Sequence, residues 1–333
     1  MIIRKQPLVK LLELADQVYL KNSAPVGRGR PFTYSEQVMF KCFVVKTLKR
    51  LDDCSGLYHY LSHEANITIR TAVGLAEKLP NLKTFQRRFA ECGPVMRRQL
   101  NAVAQHLHKL GVISFEMLAV DGSMCEALGP DWHQSDKAYA HIPPKLRNLD
   151  VSAEWGKSGY HGWVYGYKSM ALCNCAPGEP TVFVDGWLLK ANACETVSLR
   201  EQLQKHPLPR GNRLLLGDSG FDDKQLFELC QTQASLLITP ISTQAGSALA
   251  RLQKEALYLE YVNCGLYKQR SLSIEPLWAY LKARFALEVL PQHGLFKNES
   301  AVVSAMAVYN LIVLYNHSEG LPLRAVKPFL DVV

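Results

Sequence analysis

The sequence lacks the features that are typical of secreted, zinc-binding and membrane-spanning proteins. Its nine cysteines are odd in number and scattered, and no two form a C-x-x-C pair. Such usage favours reduced thiols in a cytoplasmic protein over disulfides or a zinc site. The longest apolar run, residues 301–315, is interrupted by Ser304 and Asn310 and is shorter than the roughly 18 residues that a membrane helix needs. The first residues have too short an apolar stretch for a signal peptide. We therefore expect a soluble globular protein.

Acidic residues are scarce in the N-terminal third of the chain. Residues 1–110 hold 18 of the 38 Lys and Arg but only 8 of the 30 Asp and Glu, a net charge of +10, whereas residues 111–333 have a net charge of −2. The asymmetry predicts an N-terminal segment that meets a polyanion and a C-terminal segment with another role. A solvated basic face without any partner would have the same composition, and that alternative stays open.

Apolar residues at helical spacing dominate residues 1–110, which predicts an all-helical domain. Within it, the segment NLKTFQRRFAEC, residues 81–92, predicts a helix that buries its two phenylalanines and exposes basic side chains. This pattern is typical of a helix-turn-helix recognition element, so we predict DNA contacts by Lys83, Arg87 and Arg88. A small helical domain with a basic surface would show the same pattern.

Strand-like segments appear only after residue 110. MLAVDGS, residues 117–123, predicts a strand that ends at Asp121 and a glycine turn, and residues 161–174 and 181–193 predict two more strands. A helix at 196–205, a strand at 213–218, a helix near residue 222, a strand at 235–241 and a late helix follow. This order predicts a mixed α/β fold of the ribonuclease H-like kind for residues 111–333.

Two aspartates follow apolar strands in this scheme. Asp121 comes after LAV and Asp218 after LLLG, and the carboxyl ends of strands are where α/β sheets place their chemistry. Because Asp before Gly or Ser more often caps a turn, a purely structural role is the alternative for each.

The late helix supplies a third acid. Apolar residues from 274 to 285 recur at spacings of three and four, and Pro276 fits only the first turn of a helix, so we expect the helix to begin close to Glu275. Lys282 lies seven residues later and therefore on nearly the same face. The alternative is a surface salt bridge, although residues three or four apart pair better. If the three carboxylates converge, they form a site for divalent metal ions.

Other acids have simpler explanations. Asp222 and Asp223 are expected to cap the next helix, and Asp185 is expected in a turn beside Gly186. Glu195 precedes a helix and can cap it, but it is also close in sequence to the predicted site, so both roles remain open.

These residues together resemble the DDE transposases of bacterial and archaeal insertion sequences. The resemblance covers most of the chain. Its N-terminal part consists of GRGRPFTYSEQ followed by LPNLKTFQRRF, which is similar to the family's helical DNA-binding region. VDGS at 120–123 and GDSGFDD at 217–223 resemble the segments of the first two catalytic aspartates. The remaining matches are GWVYGYK at 162–168, KANACET at 190–196, with Glu195 where Asp is usual, and the signature Tyr267, Arg270, Glu275 and Lys282, with one extra residue between Arg270 and Glu275.

The resemblance implies an enzyme that cleaves DNA at the ends of a mobile element and joins them to target DNA. Asp121, Asp218 and Glu275 would be the catalytic metal ligands for two Mg²⁺ or Mn²⁺ ions, which prefer oxygen ligands. Tyr267, Arg270 and Lys282 would contact DNA phosphates. Double-stranded DNA with terminal inverted repeats would be the partner, bound by a homodimer. A metal-dependent nuclease without strand transfer, or an inactive relative that only binds DNA, are the alternatives.

Overall fold

A computed structural model describes residues 6–21, 33–137, 142, 146–159, 162–241 and 248–333. Its α-helices are α1 Gln6–Gln17, α2 Glu36–Leu48, α3 Cys54–Ser62, α4 Ile67–Ala72, α5 Leu82–Ala90, α6 Gly93–Lys109, α7 Gln134–Lys137, α8 Glu195–Lys205, α9 Lys224–Thr232, α10 Ala248–Asn263, α11 Gln269–Phe285, α12 Leu295–Ser318 and α13 Val326–Val332. Its strands are β1 Met117–Glu126, β2 Glu154–Ser158, β3 Gly162–Asn174, β4 Phe183–Lys190, β5 Leu214–Leu216 and β6 Leu236–Ile238. Short 3-10 helices cover Glu64–Asn66 and Ser219–Phe221.

The strands form one mixed sheet in which β1 is central. β3 pairs with β1 in the antiparallel direction, whereas β5 pairs with the other edge of β1, and β6 with β5, in the parallel direction. The long strand β3 pairs with β2 along its first half and with β4 along its second half. The order β4-β3-β1-β5-β6, flanked by helices, is consistent with a ribonuclease H-like layout and confirms the expected mixed α/β fold.

The helix α12 joins the N-terminal helices to the sheet. It packs against α1, α2, α5 and α6 on one side and against β4 on the other, so a single hydrophobic core runs from Leu8 to Leu330. By length and composition α12 could cross a membrane. However, 89% of its most apolar 18-residue stretch is buried inside the fold, as in the core helix of a globular protein. Its polar Asn310 exchanges two hydrogen bonds with the backbone of Phe183 at the start of β4. This polar residue in the apolar run therefore fixes the helix to the sheet.

The N-terminal helices agree with the sequence pattern where the structure describes them. α5 begins at residue 82 and buries Phe85 and Phe89, as expected. Arg97 of α6 crosses to the sheet and makes a buried, bidentate ion pair with Asp185 of β4, with N–O distances of 2.5 and 2.6 Å. The division into domains at residue 110 stays a prediction, and the basic loop at 27–32 lies outside the described residues.

Two local predictions about acids were wrong. Asp185 is not a turn residue but lies within β4, where Arg97 compensates its buried charge. Asp223 does cap α9 by accepting from the backbone N–H of Leu226, but Asp222 does not, because its buried carboxylate pairs with Lys254 at 2.8 Å.

Two more corrections concern the candidate site. β1 does not end in a turn at Gly122 but continues to Glu126. α11 begins at Gln269, so Pro276 lies inside the helix rather than in its first turn. A proline there removes one backbone donor and disfavours the helix, but the apolar face of Ile274, Leu277 and Trp278 is buried, and burial of that face stabilises the helix.

Candidate active site

The two candidate aspartates lie on either side of one guanidinium group. Nη2 of Arg270, in the first turn of α11, is 3.9 Å from Oδ1 of Asp121 and 3.7 Å from Oδ2 of Asp218. The two carboxylate oxygens are therefore less than about 8 Å apart. Asp121 lies in β1, and Asp218 lies two residues beyond the end of the neighbouring parallel strand β5. Adjacent parallel strands thus bring residues almost a hundred positions apart to one place.

Asp121 is the more buried of the pair, with 16% of its side chain exposed. The indole N–H of Trp278, two turns after Arg270 on α11, donates to its Oδ2 at 3.2 Å. Burial raises the pKa of Asp121 to about 6, and the charges of Asp218 and Glu195 act in the same direction, whereas Arg270 opposes them. A buried carboxyl whose pKa is raised in this way, with specific charged partners, is often found at functional sites.

Asp218 is held by a loop that several elements fix. Its Oδ1 accepts from the backbone N–H of Gly220 at 2.8 Å and so caps the 3-10 helix that follows. The hydroxyl of Thr196, at the start of α8, donates to the carbonyl of Gly220 at 2.5 Å. The hydroxyl of Tyr267 donates to the carbonyl of Gly217 at 2.9 Å. Asp218 therefore caps a turn, as the structural alternative expected, and its other oxygen lies near Arg270. A catalytic role for Asp218 stays a prediction.

Glu275 is exposed and lies between Arg270 and Trp278 on α11. It lines an open cleft of about 460 Å³ together with Tyr267, Arg270 and residues from the end of α10. Trp278 is the third residue after Glu275, so the two are neighbours on the helix surface, about 4.5 Å apart along its axis. In the described part of the chain, no three His, Cys, Asp or Glu side chains lie close enough to hold one ion. That Glu275 joins the two aspartates on a metal therefore stays a prediction.

Lys282 lies further along α11, beside the end of β1. Its charge acts on the buried thiol of Cys125, four residues after Asp121, whose pKa is raised to about 12 by burial and lowered in part by this lysine. Because Trp278 meets Asp121 and Lys282 lies near Cys125, α11 and β1 run in the same direction. Lys282 therefore lies further along β1 than Asp121, whereas Glu275 lies between the two residues of α11 that contact Asp121.

Glu195, whose role the sequence left open, lies against Gly122, on the opposite face of β1 from the side chain of Asp121. Its Oε1 is 2.8 Å from Nζ of Lys168 on β3, and it is the first residue of α8. A Cβ atom built at Gly122 would come within 3.0 Å of the Glu195 carboxylate. The sequence pattern indicated a turn at Gly122, but the glycine instead makes room for an acid 73 residues further along the chain.

The predicted DNA-contacting residues of α5 differ in exposure. Lys83 and Arg87 are exposed. Arg88 is half-buried and lines a cleft of about 150 Å³ with Glu36 of α2, and burial lowers the pKa of its guanidinium. Of these three residues, Lys83 and Arg87 are therefore the accessible ones. Their contact with DNA stays a prediction.

The chemistry of the donor set fits a hard divalent cation. Arg270 lies beyond hydrogen-bond distance of both aspartates. Its buried Nε has no hydrogen-bond partner among the described residues. Trp278 and the backbone N–H of Gly220 hold the two carboxylates, and Arg270 interacts with the oxygens that face it through charge alone. Carboxylate oxygens of this kind suit Mg²⁺ or Mn²⁺. The two aspartates carry two negative charges, against the single positive charge of Arg270 between them.

Two solved transposase structures are similar to this chain. The sequence matches no protein-family model and no curated protein. The piggyBac transposase, in a synaptic complex with hairpin DNA, is similar over 98% of this chain and 75% of its own, with 10% identity and a TM-score of 0.40. The Mos1 transposase, in a paired-end complex with the left transposon end, is similar over 87% of this chain and 82% of its own, with 11% identity and a TM-score of 0.20. At such low values, function has to be argued from the site itself.

Proposed function

We propose that this protein is a DNA transposase that uses divalent metal ions to cut the ends of a mobile element and to join them to target DNA. One observation carries the proposal. Asp121 and Asp218, from adjacent parallel strands, face each other across Arg270 beneath the helix that also bears Glu275 and Lys282. This combination of acids and bases suits phosphoryl transfer, which needs both metal ligands and groups that hold phosphate.

Each residue has a distinct task in this proposal. Asp121 and Asp218, joined by Glu275, would hold two Mg²⁺ or Mn²⁺ ions, which when bound activate a water or a DNA 3′-hydroxyl and stabilise the leaving oxygen. Arg270 would turn from the aspartates to a phosphate as metal enters, because a guanidinium binds phosphate oxygens in a bidentate manner. Lys282 would hold a second phosphate as a point charge.

The basic N-terminal helices would supply DNA affinity. Lys83 and Arg87 are exposed on one face of α5, and neutralising phosphates releases counterions and so favours binding. α6 and α12 connect these helices rigidly to the sheet through the shared core and the Arg97–Asp185 pair. A duplex held on α5 would therefore have a fixed position relative to the acids. We propose that two copies act on the paired DNA ends.

The experiment is Mg²⁺-dependent cleavage of labelled DNA that carries the repeats flanking the gene. Glu275→Gln and Asp218→Asn should lower cleavage by more than the roughly 10- to 100-fold that loss of a residue supporting a metal ligand causes. Glu228→Gln is the matched control, because Glu228 is an exposed acid of α9 that pairs with Lys224 on the same helix. Undiminished cleavage by both site variants would contradict the proposal.

The same assay separates the two alternatives. A nuclease without strand transfer would cut the labelled DNA but would not join the freed 3′ ends to a target plasmid. An inactive DNA-binding relative would shift the labelled DNA in a gel without cutting it at any Mg²⁺ or Mn²⁺ concentration. The presence of both aspartates at 3.7 and 3.9 Å from one guanidinium favours an active enzyme.

A further inference from the structure

Trp163 is a large apolar side chain that the fold leaves exposed to solvent. It lies near the start of β3 and is 67% exposed, whereas the other four tryptophans, all within the described residues, are buried or half-buried. We propose that Trp163 and Lys157 of β2 form a contact site for an unpaired DNA strand, with one base stacked on the indole and a phosphate beside the lysine. The inference deepens the proposed function and rests on it for DNA as the ligand.

Lys157 is the direct neighbour of Trp163 in the sheet. The two residues are antiparallel partners in the pairing of β2 with β3, so their side chains lie on the same face, with Cβ atoms about 5 Å apart. Both residues are exposed. An ammonium group beside an exposed indole disfavours a purely apolar partner. A nucleotide suits both side chains, because its phosphate attracts the lysine and its base can stack on the indole.

This pair lies on the face of the sheet that carries the side chain of Asp121. Asp121 is the antiparallel partner of Ala171 on β3. Trp163 lies eight residues before Ala171, and because this number is even, both side chains lie on one face. The next side chain, Val164, packs against Met124 on the opposite face, as the alternation requires. A DNA strand that crosses the candidate site could therefore reach Trp163 without leaving that face.

A further basic residue lies between the candidate site and Trp163. The levels of Asp121 and Trp163 are separated by eight strand residues of about 3.3 Å each, or about 26 Å along β3. The charge of Lys282 on α11 acts on Cys125, which pairs with Tyr167, halfway along this path. Nucleotides in one strand of a duplex rise by about 3.4 Å each, and an unpaired strand can extend further. Trp163 would thus meet a base at most about eight nucleotides from the reacting phosphate.

The exposed indole suits an unpaired strand better than an intact duplex. In a duplex, each base is covered by its neighbours, so an indole can stack only on a base that has left the stack. An indole also offers a single hydrogen-bond donor, and it therefore gains little from the base edges in a groove. Stacking of this kind tolerates any sequence, because every base has a π face.

The test measures binding of a short, fluorescently labelled oligothymidylate to the full chain by anisotropy, in EDTA and at several salt concentrations. Trp163→Leu should weaken binding by roughly 5- to 100-fold, the range for loss of one base–aromatic stack, without changing the dependence on salt. Lys157→Gln should reduce the slope of log affinity against log salt by about 0.7, the contribution of one phosphate contact with a single strand. Trp163→Phe keeps an aromatic face and should recover most of the affinity. Leu321→Ala and Lys327→Gln are the controls, because these exposed side chains lie beyond the end of α12, and both variants should bind like the wild type.

Two comparisons complete the test. Trp163→Leu should bind a duplex of the same length as the wild type does, and without DNA its sedimentation should match that of the wild type. The proposal is overturned if the wild type binds no oligothymidylate at low salt, if Trp163→Leu binds it equally well, or if this variant loses duplex affinity to the same extent. A changed oligomeric state of Trp163→Leu without DNA would make Trp163 a contact between protein chains and would also overturn it. None of these measurements requires metal, so failure of the wild type to cleave DNA contradicts the proposed function alone.

Discussion

Replacing Asp121 by Asn should make the metal-free protein more stable at pH 7. Burial raises the pKa of Asp121 from 3.8 to about 6 in the folded state, so the folded protein holds this proton more tightly than the unfolded chain does. The stability that the protonated carboxyl supplies is complete below about pH 4 and is lost as the pH rises through 6. The difference between pKa values of 3.8 and about 6 corresponds to roughly 3 kcal/mol of unfolding free energy that the ionised carboxylate removes at pH 7. The asparagine side chain keeps an acceptor for Trp278 but loses the attraction of Arg270, which makes this free energy an upper value.

The measurement is urea unfolding of both proteins in EDTA, at pH 7 and at pH 4. The variant should be the more stable protein at pH 7, and the difference should shrink towards zero at pH 4. Adding Mn²⁺ should stabilise the wild type by mass action and should stabilise the variant less. Glu228→Gln serves as the control, since that exposed acid should show neither effect. A wild type that equals or exceeds the variant in stability at pH 7 would show that Asp121 is not strained by burial.

Three further predictions concern the bases and the late helix. Arg270→Gln removes the cation between the aspartates, so calorimetry should show tighter Mn²⁺ binding, while DNA binding should weaken. Weaker Mn²⁺ binding would show that Arg270 does not compete with the metal ion for the aspartates. Replacing Lys83 and Arg87 together by Gln should reduce the slope of log affinity against log salt by roughly 2 in full-length protein, because each lost phosphate contact contributes about 0.9; an unchanged slope would exclude α5 from the interface. Lys282→Ala should weaken binding of the DNA end by roughly 10-fold, as loss of a charged hydrogen bond does, whereas Glu275→Gln should leave it intact and abolish cleavage; identical behaviour would contradict their separate roles.

The proximity of the two aspartates could be predicted from local sequence, because the pairing of two strands brings residues that are distant in sequence close together. Once residues 117–123 and 213–218 are recognised as buried strands, their parallel pairing in the sheet places Asp121 and Asp218 close together. The same reasoning identifies the helix of Glu275. Its side chain is exposed, however, and helical periodicity gives only the face on which a residue lies, not the reach of its carboxylate.

Contacts between side chains distant in sequence could not be predicted. Asp185 resembles a turn residue beside a glycine, but its environment is decided by Arg97, 88 residues earlier. Gly122 also resembles a turn glycine in the sequence. Its role is to leave space in the sheet, and the carboxylate of Glu195 occupies part of that space. The sequence does not distinguish a glycine that is needed for a positive φ from one that is needed because a side chain would not fit. Only the packing of other elements distinguishes them.

In the proposed function, Arg270 would face the two aspartates before a metal binds and a DNA phosphate afterwards. In the metal-free protein its guanidinium balances two carboxylates that would otherwise repel each other, yet at 3.7 and 3.9 Å it forms no hydrogen bond with either. A contact of this kind supplies charge compensation without the geometry of a strong bidentate pair. A divalent ion supplies both more charge and direct ligation, so it can replace the arginine at modest cost. Arg270 already lines the cleft that Glu275 lines, so a displaced guanidinium would stay within reach of a DNA phosphate beside the metal.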